Sequence, residues 1–201
     1  MAGITEQEEK LSRHHRAAPN EVSRRSLRLA GATIMALFAL AWAIAGSGVL
    51  APVRPVVLTV AVAITSVVLI VTWKLRPTQD AQIRQLRDHW WRDFQIVGAA
   101  QVPAIALVIA GGIWAGAPAL IPAAVALVVA VHFIPLRHIF RTPMYSATAG
   151  GLGFVAVVGL ASFWFLGPET SVAVATLGSA VVLWGTAALI AFSPTRLDDG
   201  A

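Results

Sequence analysis

Cysteine is missing from this chain altogether, which excludes a disulfide framework, a thiolate metal site and a palmitoyl, prenyl or lipoprotein anchor. Charge is scarce as well. Asp, Glu, Lys and Arg make up 12% of the 201 residues, against about 25% in an ordinary soluble domain. Aromatic residues supply only 8%, so the apolar excess rests on Ala, Val, Leu and Ile. Those are the side chains of helices bathed in lipid. No carboxylate falls inside an apolar run, which leaves no acidic pair for magnesium-pyrophosphate chemistry and no buried acid to carry protons.

What the chain does have is long apolar runs. Six stretches, Leu29–Leu50, Val56–Trp73, Phe94–Trp114, Ala119–Ile139, Ala147–Gly167 and Ser171–Phe192, each approach the roughly 20 residues that cross a bilayer core. The second is dense in β-branched Val, Ile and Thr, which in water would suggest strand. At this length a helix is the better solution, because every backbone group then pairs within its own segment. Pro103, Pro122 and Pro135 fall inside spans, where membrane helices tolerate them. Linkers at Ala51–Pro55, Ala115–Pro118 and Pro168–Thr170 are short, so the spans are expected to pair as three antiparallel hairpins. The predicted fold is an all-α six-helix transmembrane bundle over residues 29–192, between a polar tail (1–28) and a short C-terminal tail (193–201).

The placement of basic residues orients the bundle. Lys10, Arg13, Arg16, Arg24, Arg25 and Arg28 lie in the N-terminal tail, and Lys74, Arg76, Arg84, Arg87 and Arg92 in the second linker. Arg137 and Arg141 lie in the fourth linker and Arg196 in the C-terminal tail. Fourteen of the fifteen Lys and Arg thus fall on one side, and Arg54 alone on the other. Positive residues are retained inside, so both termini are expected in the cytoplasm. The net charge of +5 comes from these blocks, which suit anionic head groups at the cytoplasmic face better than nucleic acid. Within the linker 74–93, Ile83, Leu86, Trp90 and Phe94 recur at helical spacing among arginines. That pattern predicts an amphipathic interfacial helix, with a start at Thr78 after Pro77. Thr5 and Glu8 have capping-box spacing for a short helix in the tail. Trp73, Trp90 and Trp91 fit an aromatic belt on the inner side, and Trp114 and Trp164 one on the outer side.

Few motifs carry chemistry. Ser23-Arg24-Arg25-Ser26-Leu27-Arg28, followed by an apolar run and Ala43-Ile44-Ala45, is similar to a twin-arginine export signal. The run exceeds a signal core and five spans follow, so retention is expected. His132 is the one ionisable residue deep in a span and a candidate site by default. Gln95 and Gln101 on the preceding span, with Arg137, His138 and Arg141 beyond Pro135, complete a candidate polar pocket. The competing reading is a neutral His132 bonded to Gln101 or a backbone carbonyl as a contact between helices. His132 and His138 lie six apart with no intramembrane carboxylate, so neither a metal nor a cofactor is expected. Gly150-Gly151-Leu152-Gly153 lacks the basic and hydroxyl residues of a phosphate loop. With Ala149, Ala156 and Gly159 it is expected to let another helix approach closely.

The stretch from Val131 to Tyr145, Val-His-Phe-Ile-Pro-Leu-Arg-His-Ile-Phe-Arg-Thr-Pro-Met-Tyr, resembles a segment of small bacterial polytopic membrane proteins to which no function is assigned. In these a His-Phe-x-Pro-Leu turn precedes Phe-Arg-x-Pro-x-Tyr and a further apolar helix. Phe94-Gln95-Ile96-Val97-Gly98 is similar to their aromatic-x-Ile-Val-Gly start. The resemblance spans about residues 92–160 and implies a bacterial inner-membrane setting with a shared role for His132 and Arg141. It implies no activity. Three function classes follow. A structural or regulatory membrane component, with room for a homo-oligomer, ranks first because the spans lack ionic groups. A small-solute transporter or channel subunit ranks second. A lipid head-group enzyme, with Arg137 and Arg141 on phosphate and His132 as base, ranks third.

Overall fold

The computed structural model describes residues 21–74, 83–85 and 89–192. Six helices dominate: α1 (Arg24–Gly46), α2 (Arg54–Lys74), α3 (Trp90–Trp114), α4 (Ile121–Phe140), α5 (Met144–Phe165) and α6 (Pro168–Phe192). All six are long and apolar enough to cross a membrane, so the chain is a multi-pass membrane protein. Each predicted span is present, with shifted ends. α1 begins at Arg24, inside the predicted tail, because neither Pro nor Gly separates its arginines from the apolar run. Pro168 and Glu169, predicted as linker, form the first turn of α6, where proline loses no bond and a carboxylate suits the helix dipole.

The linker 74–93 departs from its predicted form. Ile83–Gln85 is a strand (β2) paired antiparallel with Glu21–Ser23 (β1), with Val22 opposite Arg84. The helix starts only at Trp90. A neighbouring backbone just ahead of α1 offers this segment a ladder, and three residues pairing there give up one turn of helix. The Thr78 start, Leu86, the Thr5–Glu8 box and the C-terminal tail lie outside the described residues.

The three hairpins α1–α2, α3–α4 and α5–α6 are each in contact, but the bundle is organised around α6. That helix packs on α1, α2, α4 and α5. α2 and α3 are peripheral. α3 has no buried residue and rests on α4 alone among the helices it touches substantially. At the α1–α6 seam, Ala32, Ala36, Ala39 and Ala43 recur every three or four residues and are essentially sealed from outside. Lipid tails are as apolar as leucine, so a bundle in lipid gains most from small residues that bring backbones close. Gly159 follows the same rule: a methyl group there would stand 3.1 Å from Ala175 Cβ and 3.2 Å from Ala123 Cβ. Gly151, likewise, faces Val182 across the α5–α6 seam, as the close-approach reading of this segment expects.

Hydroxyl groups tie the packed helices together. Thr148 and Thr186 share a 2.9 Å hydrogen bond between α5 and α6; one hydroxyl donates it, and the accepting one is left to donate to its own helix backbone, at Met144 or Val182. Ser171 Oγ donates to the Gly159 carbonyl at 2.8 Å, and Trp184 Nε1 donates to Thr65 Oγ1 at 3.0 Å. Such bonds matter because nothing in hydrocarbon replaces them.

Candidate functional site at the end of α4

Helices α1 and α6 start and finish at the same end of the bundle as the β1–β2 ribbon, Lys74 and the close of α4. This basic end is also aromatic. Trp90, Phe94, Phe140, Tyr145 and Phe133 form a chain of ring contacts with centroids 5.7–6.2 Å apart, joining the start of α3 to the end of α4 and the start of α5. Edge and tilted arrangements of this kind suit the ring quadrupoles. They fix the point where α4 leaves the bundle.

α4 ends in an unusual way. Arg141 adopts the left-handed conformation, φ 47°, and its N–H and that of Thr142 both reach back to the Arg137 carbonyl. This is the helix stop for which glycine is the usual residue. The tight turns at the opposite end obey that preference, with Gly116 at φ 66° and Gly167 at φ 94°. A side chain in this conformation costs roughly 1–2 kcal/mol relative to the right-handed region. Arg141 is the one described non-glycine residue with positive φ. Its exposed side chain lines, with Arg137, His138 and Pro143, an open depression of about 440 Å³.

The six predicted pocket residues therefore divide. Arg137, His138 and Arg141 come together; His132, Gln101 and Gln95 do not join them. Half-buried His132 turns toward α3 and donates to the backbone carbonyl of Val97. The neighbour His132 bonds to on α3 is thus the Val97 backbone rather than Gln101. Gln101 is half-buried and Gln95 exposed, both on peripheral α3. The reason is angular: nine residues separate His132 from Arg141, which places them half a turn apart on α4. Among the described residues no three His, Asp or Glu side chains gather as a metal set. The residues that sequence reading missed are Pro143, which lines the depression, and the internal hydroxyl network. Thr148 and Thr186 carried no signal, because threonine in a membrane helix usually satisfies itself on its own backbone.

The chain matches no family model, no curated protein and no solved structure.

Proposed function

We propose that this protein is a non-enzymatic structural or regulatory component of the bacterial inner membrane, with both termini in the cytoplasm. The observation that carries this reading is the make-up of the bundle interior. It is filled by Ala, Gly, Leu, Ile, Met, Phe and hydroxyl side chains, while the described Lys, Arg, Asp, Glu and His residues other than His132 sit at helix ends or beyond them. The imidazole that is left holds α4 to α3 through the Val97 carbonyl. The head-group enzyme reading assigns His132 as the base, and His132 stands apart from the depression lined by Arg137, His138 and Arg141. The cytoplasmic orientation rests on the charge partition and the bacterial setting on the resemblance of the Val131–Tyr145 segment.

Two measurements test the proposal. Reporter fusions at either terminus are expected to read cytoplasm, and fusions within 51–55, 115–118 and 168–170 the periplasm. A periplasmic C-terminus would overturn the orientation. Purified protein in liposomes is expected to give neither coupled ion flux nor lipid turnover above empty vesicles. Flux or turnover that depends on the protein would overturn the non-enzymatic, non-transport reading.

A further inference from the structure

α3 differs from its neighbours in being held from one side only. None of its residues is buried, and α4 is the one helix it touches substantially. The features that weaken it as a helix fall together between Gly98 and Pro103. Pro103 has no N–H, so the Ala99 carbonyl is left without its helical donor. Glycine is the weakest helix former after proline, and Gly98 has no packing reason to be one, since a methyl group there would meet nothing within 4 Å. Pro135 holds a similar place in α4, but Phe133 and Leu136 beside it are buried in the core and keep that helix straight. The weak stretch of α3 is also supplied with substitute donors. His132 reaches across from α4 to the Val97 carbonyl. Gln101, half-buried near the helix midpoint, makes no side-chain hydrogen bond among the described residues. Side chains in a helix lean toward its N-terminus, which favours the Val97 and Gly98 carbonyls as acceptors for the Gln101 amide. In hydrocarbon a bend is tolerated where side chains take over the backbone groups it frees.

We infer that α3 is a hinged arm: it bends at Gly98–Pro103, and the segment Trp90–Val97 swings off α4 into the surrounding lipid. The segment Ala104–Trp114 stays in place, because Gly112 lies so close to Ile121 that a methyl group added there would collide with its side chain. Trp90–Val97 is held by the His132 bond and by Phe140, whose ring lies 6.2 Å from that of Trp90 and 5.8 Å from that of Phe94. When these contacts part, Gln101 replaces His132 as the donor to the backbone of the bend. A kink of about 20° moves Arg92, about nine residues from the hinge, by roughly 5 Å. Such an arm rests on the regulatory reading of this protein and supplies its moving part. Its test is a distance, whose failure is distinct from the appearance of flux or turnover.

The test is a pair of spin-label distances, measured by pulsed electron paramagnetic resonance on the full-length protein in lipid nanodiscs. Arg92→Cys with Val157→Cys reports the Trp90–Val97 end of α3 against α5, and Ile113→Cys with Val157→Cys reports the other end. All three positions are exposed, and no native cysteine competes for label. With His132→Leu and Phe140→Ala added, the Arg92 pair should gain a second distance shifted by about 5 Å. Its share should rise roughly threefold for the lost hydrogen bond and about fivefold for each of the two lost ring contacts. The Ile113 pair should keep a single distance. Adding Pro103→Ala to that background restores the backbone donor and should remove the second distance. Adding Gln101→Leu instead should cut its share about threefold. An Arg92 pair as narrow in that background as in the wild type would overturn the inference. So would a second distance that survives Pro103→Ala, which marks a fraying helix end, or one that appears equally in the Ile113 pair, which marks α3 detaching whole. A share that Gln101→Leu leaves unchanged or raises would also overturn it.

Discussion

Gly159 gives the sharpest test of how this bundle is held. A methyl group added there would meet Ala175 Cβ at 3.1 Å, Ala123 Cβ at 3.2 Å and Ala175 Cα at 3.6 Å. Both neighbours are alanines, so no flexible side chain can swing aside; a helix must move. Overpacking of this kind costs about 1–3 kcal/mol. Against it stands the roughly 1 kcal/mol by which alanine outperforms glycine inside a helix. Gly150, on the same helix, provides the control because a methyl group there meets nothing within 4 Å. The propensity gain is common to both sites and cancels in their difference. Gly159→Ala should therefore be less stable than Gly150→Ala by about 1–3 kcal/mol. The Ser171 hydrogen bond to the Gly159 carbonyl adds to the loss if α6 is pushed away. The assay is loss of helical circular dichroism during titration of mixed micelles with a denaturing detergent. Adding Ala175→Gly to Gly159→Ala should recover part of the loss, beyond what the two single changes sum to. If Gly159→Ala and Gly150→Ala fall within about 0.5 kcal/mol of each other, the reasoning from close contact is wrong.

Other expectations follow from single contacts. Trp184→Phe removes the donor to Thr65 that ties α6 to α2, and should cost about 0.5–1.5 kcal/mol in the same titration, with Thr65→Val costing nothing further once Trp184 is Phe. His132→Leu should cost a similar amount, and a His132→Cys variant should resist a water-soluble thiol reagent in inverted vesicles while Arg141→Cys reacts. Rapid labelling at position 132 would reinstate a hydrated pocket there. The chain has no cysteine of its own, so every label reports the introduced site. Mass spectrometry should find peptides from residues 10–24 in the purified protein. Cleavage after Ala45 would strip away the buried alanine seam of α1 and uncover the face of α6 that packs on it, so a mature chain starting near Gly46 would contradict the packing.

Much of the fold was legible before any coordinates. Length and apolarity set the number of helices, because hydrocarbon admits few ways to satisfy a backbone and six runs are long enough to use one of them. Short linkers gave the three hairpins, and the glycines of α5 announced a close approach. Helix ends were less legible, since a helix stops where its next residues find better partners, and the pairing of Ser23 with Ile83 joins segments sixty residues apart.

The candidate site divides along the same line. That Arg137, His138 and Arg141 are basic and close was plain from their order, as was the oddity of His132 within a span. Which of them share a face depends on the rotation of α4, and that rotation is set by contacts the sequence does not list: Ala123 against Gly159, Phe140 against Trp90 and Phe94, His132 against Val97. Local pattern fixes where each helix lies in the membrane because hydropathy is a one-dimensional property of the chain. The role of α6 as the hub, the exposure of α3 and the turning of His132 away from the arginines are properties of six helices packed at once. Only the tertiary structure decided those.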